Sequence, residues 1–185
     1  MAKPSSRQPV RVMAADASRA TGKTVLVQGW VHEIRDLGRI KFVIVKDKTG
    51  FIQLTLPKKA VQESVFNAVA LLSKESAVRA TGKMQKASQA MNGVELVPGA
   101  LDVLSDSKAP VPLDTSGKIE SDLSVRLDYR FLDLRNPRSE ALFKIKSKMV
   151  KAIVEFFDEN GFTAIQTPKL TVAGVESGAE LFTVD

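Results

Sequence analysis

Between Val25 and Leu56 apolar and polar residues alternate in three consecutive runs. In the first, Val25, Val27, Gly29 and Val31 are set against Leu26, Gln28, Trp30 and His32, a period of two that predicts a half-buried strand. Asp36-Leu37-Gly38 marks a turn, Ile40 to Lys46 gives a second strand, and Asp47-Lys48-Thr49-Gly50 closes a hairpin onto Phe51–Leu56. The third strand sends Ile52, Leu54 and Leu56 to one side and Phe51, Gln53 and Thr55 to the other. A hairpin is marginal by itself, so further strands are required. Lys59 to Leu72 places Val61, Val65, Phe66, Val69 and Leu72 on one helical face. Ala77 to Met84 and Val94 to Leu104 then read as strands four and five, with Pro98-Gly99 interrupting the last. Three strands, a capping helix and two more strands predict a small closed β-barrel.

Past residue 105 the period changes. Asp106 to Pro112 is polar and proline-bearing and reads as a hinge. The run RLDYRFLDLR within Leu123–Leu134 predicts a short helix with its arginines outward. Asn136-Pro137 is a sound helix start, since proline at the first helical position forfeits no hydrogen bond. That helix should run to about Glu159 on a face of Leu142, Ile145, Met149, Ile153 and Phe156, and stop at Asn160-Gly161. Phe162 to Ile165 predicts a strand ended by Thr167-Pro168. The expected organisation is therefore a basic disordered arm over residues 1–20, the barrel over 21–105, a hinge over 106–122 and the opening elements of an α/β domain over 123–185.

Composition narrows the function. The 185 residues contain no cysteine and one histidine, which excludes disulfides, thiolate metal sites and any ordinary zinc set. No apolar run approaches membrane-spanning length and the first residues, MAKPSSRQPVR, lack the apolar segment of a signal peptide. A cytoplasmic location without membrane contact fits these features. The net charge of +6 is uneven: residues 1–105 hold 16 Lys/Arg against 8 Asp/Glu, and residues 106–185 hold 11 against 13. The excess of +8 sits on the barrel half, which makes a polyanion such as RNA its natural partner. Lysines that block pairing at strand edges are the alternative reading of the same charge. The order of elements is that of the OB-fold, whose strand 2 to 3 face binds oligonucleotides.

Three segments carry a more specific resemblance: GWVHEIRDLGRIKFVIVKDKTGFIQLTLPKK, PLDTSGKIESDLSVRLDYRFLDLRNP, and ENGFTAIQTPKL followed by GVESGAELF. Together and in this order they resemble the N-terminal part of aspartyl-tRNA synthetases of the archaeal and eukaryotic type. The third is similar to motif 1 of class II synthetases, whose proline, here Pro168, lies at the dimer interface in that family. The asparaginyl and lysyl cousins share the barrel and motif 1, but RDLG…IKF with RLDYRFLDLR suits the aspartyl group better.

The resemblance implies roles for individual residues. Phe42 occupies the place of the strand 2 aromatic that stacks on the middle anticodon base. Gln53 matches the glutamine beside that base, and Glu95 the acid that accepts from the cytosine of the aspartate anticodon. Arg35 is placed for phosphate or base contact. Read from the residues alone, Phe42 equally fits barrel core and Gln53 an ordinary exposed strand position. Enzymes of this branch restricted to the aspartate tRNA tend to carry tryptophan at the position of His32 and lysine at that of Met91. Departure at both implies a non-discriminating enzyme that also charges the asparagine tRNA.

For the second domain the resemblance implies ATP- and magnesium-dependent formation of an aspartyl-adenylate, then transfer of aspartate to the tRNA, by a homodimer. Glu176 matches the acid that meets the aspartate ammonium group, although ESGAELF replaces the commoner EGGTELF. Motif 2, whose Arg-x-Glu follows motif 1, and the glycine- and arginine-bearing motif 3, which hold ATP and magnesium in the family, find no counterpart between the motif 1 segment and Asp185; the triplet Arg138-Ser139-Glu140 precedes motif 1, at the start of its helix. The expectation is thus an aspartate–tRNA ligase represented by its anticodon-binding half, with no catalytic residue in this chain and no activity of its own. A non-catalytic tRNA-binding module or split subunit is the alternative.

Overall fold

A computed structural model describes residues 9–108 and 110–168. The chain divides into two compact units, Met1–Pro137 and Arg138–Asp185.

In the first unit five strands, β1 (Thr24–Asp36), β2 (Ile40–Asp47), β3 (Gly50–Pro57), β4 (Ala77–Lys86) and β5 (Val94–Ser105), close into a barrel in the order β1-β2-β3-β5-β4. All neighbouring pairs are antiparallel except β3 with β5, which run parallel and meet only at Gln53 opposite Glu95 and Leu54 opposite Leu96. The predicted alternation sets the register: Val25, Val27, Val31, Val43, Val45, Ile52, Leu54, Leu56, Val78, Met84 and Leu96 are each 3% exposed or less and fill the interior. Burying one such side chain is worth roughly 1.5–3 kcal/mol, so a register slip of one residue, which turns the whole set outward, is heavily disfavoured.

Two glycines let the strands approach. A Cβ at Gly29 would lie 2.3 Å from the Lys46 carbonyl oxygen, and one at Gly82 would lie 2.1 Å from that of Val97. Gly82 also faces the irregularity expected at Pro98-Gly99: the β4–β5 register shifts between Thr81 and Gly82, opposite Ala100 and Pro98. A second bulge falls in β1 between Val31 and Glu33, at His32. Bulges of this kind bend a strand and re-aim the residue they carry.

One open end of the barrel is covered by α1 (Glu63–Ala68) and a 3-10 turn over Val69–Leu71. The helix is shorter than the 59–72 expected, but the expected face is the one that packs: Val65, Phe66, Val69 and Leu72 are buried and Val61 lies against them. The buried Lys41 ends under this cap, its Nζ 4.5 Å from the Phe66 ring centre and 3.2 Å from Asp36.

The disordered arm expected over residues 1–20 is corrected for its second half. Residues 10–12 bond to Leu26 of β1, and a 3-10 helix, Ala14–Ala20, buries Ala14, Ala17 and Ala20 on the barrel. Alanines spaced by three fit a 3-10 face, and Asp47 Oδ2 accepts the Ala14 N–H at 2.8 Å.

Beyond β5 the chain returns to the barrel. Ser76 donates to Asp106, Leu113 and Thr115 are buried, and Thr115 donates to the Glu75 carboxylate at 2.5 Å. Glu75 also pairs with Arg135, whose guanidinium stacks 4.2 Å over Trp30, while Lys46 Nζ donates to the Arg135 carbonyl at 2.6 Å. Glu75 adopts a φ of 68°, a backbone cost that this set of contacts offsets.

The predicted helix over 123–134 is two short helices, α2 (Leu123–Asp128) and α3 (Arg130–Asp133). Its arginines are not simply outward. Arg126 and Arg130 converge at 2.9 and 2.8 Å on Asp133, which is 2% exposed, because a buried carboxylate needs cationic partners.

In the second unit α4 (Pro137–Glu159) has the predicted bounds, and Gly161 takes the left-handed φ of 82° that ends it. Its apolar residues Leu142, Ile145, Met149, Ile153 and Phe156 are all more than half exposed. The strand expected at Phe162–Ile165 does not form. These residues are exposed and no described strand pairs with them, and a strand without a neighbour leaves its backbone unpaired. No helix of the described residues is long and apolar enough to cross a membrane.

Candidate nucleic-acid interface

The outer face of β2, β3 and β5 gathers the residues singled out in the barrel. Phe42 lies opposite Thr55, Ile44 opposite Gln53 and Lys46 opposite Phe51, while Arg35 of β1 lies opposite Phe42. The parallel β3–β5 contact then brings Glu95 directly beside Gln53. Phe42 does not belong to the buried core cluster, and with partial exposure its ring is available to a planar partner.

Gln53 and Glu95 are joined by hydrogen bonds. Gln53 Nε2 donates to Glu95 Oε2 at 3.2 Å and to Thr55 Oγ1 at 3.2 Å; the Thr55 hydroxyl donates to the same Oε2 at 2.6 Å; and Gln85 Nε2 donates to Glu95 Oε1 at 2.8 Å. Thr55 and Gln85 were not singled out in the sequence. Period two put Thr55 on the outer face, but nothing local in the sequence shows that a residue 40 positions away will claim its hydroxyl.

Arg35 is exposed and held by Glu33 through two hydrogen bonds, 2.9 and 3.0 Å, and this partner keeps the Glu33 carboxyl below its ordinary range. An exposed pair of this kind is worth little, so an incoming phosphate can compete for the guanidinium. Arg39, Lys58 and Lys59 are exposed beside it, with the Lys58 N–H on the Arg39 carbonyl at 2.9 Å. A basic rim thus adjoins Phe42, which the charge count anticipated only as a property of the whole barrel.

His32 and Met91 come to one neighbourhood. The His32 ring lies 4.9 Å from that of Phe51, and Asn92, next to Met91, donates to the Phe51 carbonyl at 2.6 Å. Met91 itself is 71% exposed on the β4–β5 loop. Burial lowers the His32 pKa, Glu75 opposing this and Lys46 reinforcing it, a direction that favours the neutral imidazole.

Pro168 is exposed at the edge of the described residues, and Glu176 lies outside them. Among the described residues no three His, Cys, Asp or Glu side chains are grouped as a metal site. Chemically, then, the face offers a ring for stacking, an amide and a carboxylate for base edges, and cations for a backbone.

Comparison with known proteins matches the chain to two families. Residues 25–104 match the family described as OB-fold nucleic acid binding domain, and residues 122–185 match tRNA synthetases class II (D, K and N). The chain is 48% identical over 163 residues, 88% of its length, to the aspartate–tRNA(Asp/Asn) ligase of Methanopyrus kandleri, and 39% identical over 95% of its length to that of Archaeoglobus fulgidus. It is 44% identical over 87% of its length to the aspartate–tRNA(Asp) ligase of Pyrococcus horikoshii. The chain spans 38%, 41% and 37% of these relatives, about two fifths of their length. Among solved structures, the asparaginyl-tRNA synthetase of Pyrococcus horikoshii with asparaginyl-adenylate superposes with a TM-score of 0.82 at 27% identity, over 95% of this chain and 40% of that one. The aspartyl-tRNA synthetase of Entamoeba histolytica, at 21% identity and a TM-score of 0.74 over 93% of this chain and 43% of that one, shares the fold.

Proposed function

The chain belongs to the aspartyl-tRNA synthetases of the archaeal type, of which it corresponds to the N-terminal part, and we accordingly propose that it is the anticodon-reading part of an aspartate–tRNA ligase. The observation that carries the reading is the β3–β5 contact, which sets Gln53 against Glu95 on the same face as Phe42. Phe42 stacks on the middle base, a contact that holds any base and selects none. Gln53 and Glu95 then select by hydrogen bonds to base edges, and Arg35, Arg39, Lys58 and Lys59 meet the phosphates.

The ligase is non-discriminating in this reading. Glu95, when ionised, is an acceptor only, so it asks the third base merely for a donor. Cytosine offers its N4 amino group and uracil its N3–H. Discrimination between them needs a further group, and His32 and Met91 stand where a bulky indole and a lysine would otherwise supply it. The Methanopyrus and Archaeoglobus relatives, named for both tRNAs, support the same conclusion. Identity of 44% to the aspartate ligase of Pyrococcus horikoshii, against 27% to the asparaginyl-tRNA synthetase of the same organism, favours aspartate as the amino acid.

The whole enzyme, on this proposal, is a cytoplasmic homodimer that uses ATP and magnesium to activate aspartate and transfer it to tRNA. Pro168 lies at its dimer interface and Glu176 contributes to its aspartate site. The residues that hold ATP and magnesium in the family belong to motifs that this sequence does not contain. The test is a charging assay of the full-length ligase with aspartate and asparagine tRNA transcripts. Aspartylation of both is expected; charging of the aspartate tRNA alone would remove the relaxed reading, and charging of neither would remove the ligase.

A further inference from the structure

Thr55 is the unexplained residue of the reading face. It lies opposite Phe42 and two positions along β3 from Gln53, on the outer side of the barrel, yet it is 4% exposed. Its single hydroxyl proton goes to Glu95 Oε2 at 2.6 Å, and its oxygen accepts from Gln53 Nε2 at 3.2 Å.

That arrangement has a polarity. Thr55 Oγ1 and Glu95 Oε2 both call for a donor from Gln53, so the amide must turn its NH2 group toward them, and the carbonyl Oε1 is the atom left for a ligand. Glu95 Oε2 receives two donors and Oε1 receives one, from Gln85 at 2.8 Å. With about two acceptor sites per carboxylate oxygen, Oε1 retains one.

We propose that Thr55 is a positioning residue that fixes the hydrogen-bonding polarity of the reader, holding both Gln53 and Glu95 as acceptors toward the nucleic acid. The face then selects bases that donate: the N3–H of a middle uracil at Gln53 and, at Glu95, the amino group of a cytosine or the N3–H of a uracil. A middle cytosine in the same pose turns its N3 lone pair toward Gln53 Oε1 and must shift to offer its N4 amino group, so it is disfavoured. Because Glu95 also orients Gln53, the two bases are read as a coupled pair. Without the Thr55 hydroxyl the amide keeps a single orienting partner, Glu95 Oε2, which has itself lost its shortest donor, so the polarity is held less firmly and the preference against a middle cytosine weakens.

This rests on the anticodon-reading function proposed above, and the experiment separates the two. The 185-residue chain, its Thr55→Val, Thr55→Ser and Thr55→Ala variants and Gln85→Met are titrated with anticodon stem-loops bearing GUC, GCC and GUA, with a thermal melt of each protein. The unmodified chain should prefer GUC to both others. Thr55→Val and Thr55→Ala should lose about three- to tenfold of the preference for GUC over GCC, and Thr55→Ser should keep it. Gln85→Met, at an exposed position, should weaken the preference for GUC over GUA about threefold while keeping the middle-base preference. A folded Thr55→Val or Thr55→Ala chain with undiminished middle-base preference, or one weakened equally toward all three loops, overturns the assignment. If neither folds, failure of Thr55→Ser to keep the preference, or an unaltered third-base preference in Gln85→Met, overturns it as well. No preference in the unmodified chain would instead overturn anticodon reading itself.

Discussion

Replacing Phe42 by alanine should separate recognition from stability. The ring is only partly buried and lies outside the core cluster, between Thr55 on β3 and Arg35 on β1. Truncating a fully buried phenylalanine costs about 3–5 kcal/mol. Here part of the ring already meets solvent and the ring lies outside the core cluster, so the stability cost should fall below that range, at about 1–2 kcal/mol. The loss in binding is measured separately: base-on-aromatic stacking is worth about 1–3 kcal/mol per base, a factor of roughly 5 to 150 in Kd. The assay is fluorescence anisotropy with a labelled GUC stem-loop at several salt concentrations, beside a urea melt. Since a ring touches no phosphate, the log–log salt slope should be unchanged while the whole line moves to weaker binding. Phe42→Tyr should bind nearly as the unmodified chain does. A folded Phe42→Ala chain with unchanged affinity, or a loss accompanied by a shallower salt slope, would refute the stacking role.

Other substitutions test the frame that holds this face. Glu75→Gln should lower the unfolding free energy by about 1–3 kcal/mol, since it discharges a buried partner of Arg135 while Arg135 keeps some access to water; an unchanged urea midpoint would contradict this. Gly82→Ala drives a Cβ to 2.1 Å from a backbone oxygen and should prevent barrel closure, seen as loss of a cooperative thermal transition, whereas a normal transition would show that the strands can part there at little cost. Asp114 is partly buried, which opposes ionisation, but the Ser116 hydroxyl and the N–H groups of Ile119, Ser116 and Lys118 outweigh this and bring its pKa from 3.8 to about 2. A depressed carboxylate contributes stability that is complete above its unfolded value and lost as pH falls toward 2, so Asp114→Asn should flatten the acid limb of the stability profile between about pH 4 and 2. Because Asp114 keeps contact with solvent, screening should hold the effect to about 1 kcal/mol; identical acid limbs would deny it.

The barrel was legible because one interior face leaves a period-two record in the sequence. Val25, Val27 and Val31 with Ile52, Leu54 and Leu56 fix which side of each strand is inside, and the register follows. The helix start at Asn136-Pro137 and its stop at Gly161 are equally local signals, and both hold. What could not be read were interactions between distant parts of the chain. The burial of Ala14, Ala17 and Ala20 depends on a barrel formed later, and in a basic, polar segment these small residues look like linker. Arg126 and Arg130 look like surface charges until Asp133 is seen to be buried between them. The strand predicted at Phe162–Ile165 does not form, because β-propensity says nothing of whether a partner strand is present. For the candidate site, Phe42, Gln53 and Glu95 were named through family resemblance, and the structure adds their shared face, while Thr55, Gln85 and the rim of Arg39, Lys58 and Lys59 emerged only from three-dimensional proximity.

The most direct measurement is a nitrogen-15 and side-chain amide NMR titration of the 185-residue chain with a GUC stem-loop. If the β2–β3–β5 face reads the anticodon, the shifts should concentrate on the backbone amides of Phe42, Gln53, Thr55 and Glu95 and the side-chain amides of Gln53 and Gln85, with smaller effects along Arg35–Arg39 and Lys58–Lys59. Shifts that leave this face silent and fall instead on α4, or on exposed lysines of every strand alike, would contradict an anticodon reader and leave a barrel that binds RNA through its charge alone.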